Sequence, residues 1–507
     1  MFKSRNIKVA VVALLALAVI AGVASAQSAK AASWLVSTTY QNVGTGTANV
    51  VFSFYPEGNA TPINFTAATL PAGAGTSLYI GNVSGVAAGF RGNAVVSSDQ
   101  PLVATVVQFS NDAGFKMRLL SNGFQSSDAA SQYLIASTLL NKFNRTTVFS
   151  IQNTESFDIK AVVRFYDADN AGALASTITH TIPANSSKYI DMSLPTNTGF
   201  SAGTTVFNGS AIISGVSAAD SVTPAKVVAA ASEFYTNQPV AANFEGIPLS
   251  AAANTIYMPT GLCQRFGLDT FYAVQNASLS NSATITVTYR NTDGSVKTTD
   301  GPYTIGAGGK KSITTCSPSS GASMANFTGS AVIESTGAPI AVIGKAQNSL
   351  AAGTPGTLYV FTAFLGQPAG TSKMALPFVR WAKDADYNAA SNVGGKQRTF
   401  IAIQNLEATS IKVTVTFKDK NGVTVAANAG GSNPQTITIP AYAKANTDAN
   451  TALVLGAAGQ FGYYVDGTFG GGAIIEAHAD NPTAKFIAIV RAQNPGAGED
   501  YNSMPIQ

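Results

Sequence analysis

Two cysteines, two histidines and two tryptophans in 507 residues leave little with which to build a zinc, haem or iron–sulfur centre. Charge is scarce as well. Charged residues make up 11% of the chain, against roughly 25% in an ordinary globular protein. A nucleic-acid binder needs a basic footprint that this composition does not supply. Disorder is excluded from the other side, because 46% of residues are hydrophobic and disordered chains are poor in them. After the first 25 residues no apolar run reaches the 18 needed for a membrane-spanning helix. The length corresponds to three or four domains at about 150 residues each.

What is present begins with a leader. A basic stretch, MFKSRNIK, precedes the apolar run Val9–Val23 and the small residues Ala24-Ser25-Ala26. These are the three parts of a secretory signal peptide, and cleavage is expected after Ala26. Removing Lys3, Arg5 and Lys8 from 30 basic residues leaves 27 against 26 acidic ones, a net charge of +1. A surface so close to neutral resists association weakly.

The rest of the chain repeats itself, and repetition decides the architecture. Gln-Asn recurs at Gln41-Asn42, Gln152-Asn153, Gln275-Asn276 and Gln404-Asn405, in three cases closing an apolar run: VFSIQN, FYAVQN, FIAIQN. An alternating strand follows each, as in Ile411, Val413, Val415 and Phe417. Turn chemistry comes next, at YPEGN (55–59), YDADN (166–170), RNTDG (290–294) and KDKNG (418–422), where Asp, Asn and Gly suit a hairpin. Each then runs to LPA (70–72), IPA (182–184), IGA (305–307) or IPA (439–441). A second signature, Phe-x-Gly-x-Ala before an apolar strand, occurs at Phe90, Phe207, Phe327 and Phe469. It predicts an aromatic core anchor with a small residue at a bend. The strands QPLVATVV, TPAKVVAAA, APIAVIGKA and KFIAIVRA are expected to be hairpin partners of those that follow Phe-x-Gly-x-Ala. Lead-in segments WLVS (34–37), YLIA (133–136), YMPT (257–260) and ALPF (375–378) are expected to form the first strand of each copy, with Phe143 and Phe266 each nine residues before the next Gln.

About seven short strands per 100–130 residues, with frequent turn signals, predict an all-β chain of four tandem immunoglobulin-like or fibronectin-like β-sandwich domains. The expected division is signal peptide 1–26, then repeats 27–130, 131–252, 253–372 and 373–507, set in a row. Leader, Gln-Asn, Ile-Pro-Ala and Phe-x-Gly-Ser-Ala together resemble bacterial exported proteins built from repeated immunoglobulin-like modules, as found in surface layers, sheaths, filaments and adhesive stalks. The resemblance spans nearly all of the mature chain and rests on core and turn motifs. It implies fold and compartment, and no catalytic residue.

Chemistry-bearing patterns are few. His180 lies in the strand TITHTIP, and Glu476, His478 and Asp480 alternate on one strand face, a polar stripe rather than a triad. Gly308-Gly309-Lys310 and Gly394-Gly395-Lys396 lack the remainder of a phosphate loop. Oxygen ligands for calcium are offered best by Asp167, Asp169 and Asn170, although a hairpin turn explains the same residues. Cys263 and Cys316, 53 residues apart in the third copy, read as a disulfide in an exported chain or as two buried thiols. No cofactor is expected beyond that calcium. The functional expectation is a non-catalytic structural protein, secreted to the cell surface or matrix, that self-associates through β-sandwich edges. The alternative is an adhesin that binds cell-wall or surface glycans, for which Trp34, Trp381 and exposed tyrosines would be the stacking platforms.

Overall fold

The computed structural model describes residues 33–110, 117–201, 203–236, 240–348, 360–390, 392, 395–456, 458–464, 470–495 and 497–506. The leader 1–26 and Phe469 lie outside them. The described chain is all-β with two one-turn helices, Pro195–Thr198 and Asp384–Tyr387, and none of its helices is long and apolar enough to cross a membrane. Every sheet is antiparallel, and the eight sheets pack as four pairs.

The third pair shows the plan. Thr255–Cys263, Phe327–Thr336, Ala283–Asn291 and Val296–Ile305 lie side by side in one sheet; Lys310–Thr314, Leu268–Asn276, Ile340–Asn348 and Phe361–Leu365 form the other. Numbered along the chain, the strand orders are 1-6-3-4 and 5-2-7-8. Third-strand residues Ile285, Val287 and Tyr289 bury against Tyr272 and Val274 of the second strand and Val342 of the seventh. Their alternation with threonine is the period-two pattern of a strand with one face on the core. The second and fourth pairs keep this order and add a two-residue strand, Ile247–Pro248 or Met504–Pro505, beside the first.

Phe-x-Gly-x-Ala does what a bend into a buried strand requires. Phe90, Phe207 and Phe327 meet Phe54, Phe165 and Tyr289 edge-on at 6.3, 6.3 and 6.0 Å. Glycine follows because the third strand runs too close for a side chain: a Cβ on Gly209 would lie 2.2 Å from Tyr166 O, and one on Gly329 1.9 Å from Arg290 O.

Three expectations are corrected. The seventh strand is not the hairpin partner of the sixth; Phe327–Thr336 pairs with Thr255–Cys263 and Ala283–Asn291, while Ile340–Asn348 crosses to the opposite sheet. WLVS is not a separate lead-in strand, because Trp34–Asn42 is one continuous strand ending in Gln41-Asn42 and therefore matches the second strand of the other pairs. The row of units is replaced by a ring. Strand Arg118–Asn122 packs against Ala241–Glu245, that against Phe361–Leu365, that against Ala497–Asn502, and the last packs back against Arg118–Asn122.

Candidate functional site

The repeat signatures place buried polar groups both inside each pair and where the pairs meet. Each Asn of Gln-Asn is fully buried and ties two loops of its own pair together. Asn276 Nδ2 donates to Asn281 O at 2.7 Å and to Ile305 O and Gly306 O at 3.1 Å, while Oδ1 accepts the Ser278 N–H at 2.9 Å. Asn153 makes the same set with Phe157, Ile182, Pro183 and Glu155, and Asn405 with Thr409, Ile439, Pro440 and Glu407. Gln-Asn and Ile-Pro-Ala recur together because one is the hydrogen-bond partner of the other. The Gln points outward instead. Gln275 Nε2 reaches Ala211 O of the preceding pair at 3.2 Å, and Gln41 lies against Gly472 of the fourth pair.

The hairpin turns dock in the same sense. Gly58 N–H donates to Ser187 O, and Gly75 N–H to Lys420 O, both at 3.2 Å. Gly294, at φ 89°, sits so close to the Pro-Ala turn of the fourth pair that a Cβ would lie 2.1 Å from Ala441 O. Each turn thus seats on the Pro-Ala turn of the next pair, or on the Gly306-Ala307 turn where the next pair is the third, and the fourth seats on the first. Where the four edge strands of the ring meet, Arg118, Asn243, Thr362 and Asp500 lie together.

Charges are buried at these seams. Between the second and third pairs Glu233 is fully buried and accepts from Lys345 Nζ at 2.5 Å and Arg145 Nη1 at 3.1 Å, and Lys345 also donates to Ser137. Burial opposes the Glu233 charge, but the two cations outweigh it and hold the carboxyl well below its usual range. Arg118 pairs with Glu499 at 3.2 Å across the fourth–first seam, and Thr362 donates to Asp500 at 2.6 Å across the third–fourth. At the first–second seam Glu245 accepts the Asn122 N–H, and burial pushes its carboxyl up. Lys310 and Lys444, at matching positions after the Gly306-Ala307 and Pro440-Ala441 turns, are each brought down to about 7, chiefly by burial, with Lys345 and Arg491 respectively adding repulsion. A buried charge is tolerated where it is paired and hydrogen-bonded, so the paired ones define which faces belong together.

The residues singled out in the sequence are dispersed. Asp167 caps its own turn by accepting the Asp169 N–H at 2.9 Å; Asp169 pairs with Lys142 at 2.8 Å and accepts from Asn208 at 2.7 Å; Asn170 is exposed beside them. Cys263 and Cys316 are joined, with Cα atoms 5.1 Å apart. They form, with Asp269, the one cluster of three or more His, Cys, Asp or Glu donors among the described residues. His180 Nε2 lies 3.1 Å from Asn197 O. Glu476 pairs with Lys373, while Asp480 pairs with Lys412 and lies 3.3 Å from His478 Nδ1, so only two members of the polar stripe meet. Trp34 packs on Phe234 at the first–second seam, and Trp381 is buried against Phe400. Searched against protein-family models and against curated proteins, the sequence matches none.

Proposed function

We propose that the chain is an exported, non-catalytic structural protein of the cell surface or extracellular matrix, built of four immunoglobulin-like modules and self-associating through their edges. The observation that carries this reading is that the recurring motifs hold the copies to one another: turn on turn, Gln on the neighbouring strand, ion pair across the seam. Selection for a rigid multi-module body explains that pattern. The test is negative-stain electron microscopy of residues 27–507 with and without millimolar calcium. Sheets, tubes or filaments are the expected result. Calcium-dependent assembly would assign Asp167, Asp169 and Asn170 a ligand role, and dispersed single particles under all conditions would refute self-association.

The adhesin reading has one observation in its favour. Phe143 and Phe266 are 55% and 73% exposed at matching turn tips, with φ of 53° and 56°, a conformation costly for a bulky side chain. Lys142 and Arg265 lie over their rings at 5.5 and 4.9 Å. Two such tips suit stacking on sugar rings. A glycan array on which the parent binds and Phe143→Ala/Phe266→Ala does not would support adhesion; a blank array would remove it.

A further inference from the structure

Among the described residues the first sheet pair is one strand short. In the other three, the sixth strand is bounded on both sides, by the third strand and by the first. In the first pair the matching strand, Gly92–Ser98, pairs with Val50–Pro56, and among the described residues nothing pairs with its other edge. The consequence reads out in burial. Ala211, Ala331 and Ala473 are completely buried, and so are Ile213, Ile333 and Ile475; the equivalent Ala94 is exposed and Val96 only half-buried.

The facing wall of the gap tells the same story. Gln41, Gln275 and Gln404 are buried, but Gln152, on the sheet of the second pair that faces this gap, is half-buried, as are Ser150 and Ala230 beside it. Elsewhere the first strand fills the gap with apolar side chains on both faces. Tyr133 and Ile135 stand opposite Ile213 and Ala211, Ile256 and Met258 opposite Ile333 and Ala331, Met374 and Leu376 opposite Ile475 and Ala473. On the other face Leu134 and Ala136 share a cluster with Ala341 and Ile343 of the next pair.

Residues 1–32, ahead of Trp34 in the chain, lie outside the described ones. In the second and third pairs the filling residues lie 19 and 17 positions before the Gln of Gln-Asn, and in the fourth 30 and 28. From Gln41 the shorter spacing reaches Gly22 and Ala24, which carry no side chain and a single methyl, and the longer one Val11 and Ala13. We propose that Gly92–Ser98 is a strand-acceptor site. It takes an extended segment of a different protein, running antiparallel, with a short consecutive apolar run whose alternate large residues lie opposite Ala94 and Val96. Backbone hydrogen bonds would give affinity and the two core positions selectivity, the logic of strand addition to an open sheet. The occupant's chemistry is stated by the three strands that fill this position elsewhere in the chain. The inference rests on that internal alignment and not on the surface-protein reading, so the microscopy above and the test below fail independently.

The test is amide hydrogen exchange on the secreted chain, its N-terminus fixed by mass spectrometry, with a synthetic peptide of residues 131–140, SQYLIASTLL, as probe. Saturable slowing of exchange across Gly92–Ser98 by about tenfold or more is expected. The peptide carrying Tyr133→Asp and Ile135→Asp should give none, and neither should the protein variant Ala94→Asp, which alters an exposed methyl. Three results would overturn the proposal. Protection without peptide at every protein concentration means that the chain's own segment closes the edge. Protection that grows with protein concentration puts a second copy there. No protection at millimolar peptide means that the edge accepts nothing.

Discussion

Replacing Asn276 by Asp changes one atom group in a fully buried side chain and should be among the most damaging substitutions in the third pair. Its Nδ2 faces three carbonyl oxygens, those of Asn281, Ile305 and Gly306, at 2.7–3.1 Å. Alanine there removes about three hydrogen bonds at about 1 kcal/mol each and strands the Ser278 N–H, so about 3–4 kcal/mol is expected. Aspartate keeps the Ser278 bond but sets an oxygen against three oxygens. It must either carry a buried charge or take up a proton, so the cost exceeds alanine's near neutral pH. The introduced carboxyl has its folded value raised, so the loss shrinks as pH falls through that value and the protonated acid donates one bond. Because four sheet pairs need not unfold as one, the assay is local: hydrogen exchange at residues 277–282 and 305–310, across pH 4–8, in Asn276→Asp and Asn276→Ala. The same pair of variants at Asn405, with the same contacts, is the internal control. Losses below about 1 kcal/mol for alanine, or aspartate tolerated equally at every pH, would refute the latch as the reason Gln-Asn recurs.

Further outcomes follow from the seams. Lys444→Met should stabilise the chain at pH 7 by about 1–4 kcal/mol; the lysine's folded value near 7 lies below its free value of 10.5, so parental stability rises with pH between those limits and the variant's rise should be smaller, as a melting-temperature series will show. Glu233→Gln leaves Lys345 and Arg145 without their carboxylate and should cost about 3–5 kcal/mol, with exchange rising first along Gln132–Leu140 and Ile340–Asn348; an unchanged melt would show that this seam does not rely on the ion pair. Cys263→Ser with Cys316→Ser removes a 53-residue closure and should lower the stability of the third pair by about 4 kcal/mol in the chain-entropy account, measured by local exchange against the parent, with the other three pairs unaffected.

The hairpins of the third and fourth strands were readable because Thr and Lys alternate with Ile and Val up to a Gly-bearing turn, and one solvent face leaves that pattern intact. The second and seventh strands were harder. FIAIVRA is apolar on both faces since Val490 packs inside the fourth pair while Ile489 joins the core of the third. A strand buried on both sides has no period to show which sheet it belongs to. The Gln of Gln-Asn looked like a strand end because its partner Ala211 is 64 residues away in another copy. The chemistry at the seams was equally hidden: Glu233, Lys345 and Arg145 are spread over 200 residues, and only the pairing of Arg145–Asn153 with Val227–Tyr235 and the docking of the third pair on the second bring them together. WLVS resembled the other lead-ins in composition, and its continuity with Gln41-Asn42 appeared only in the pairing with Leu102–Ser110.

The turn-on-turn contact is a heterologous interface: its two halves differ, and each sheet pair carries one of each. Repeated through a chain, such a contact either closes or runs on without limit. Here the 418–422 turn and the 70–75 turn satisfy one another within a single polypeptide, so this contact has no unsatisfied half left for a neighbouring molecule. Parting the Arg118–Glu499 seam would bare one half at each end, and the interface that now terminates growth would then propagate it, molecule to molecule, as an open helical polymer.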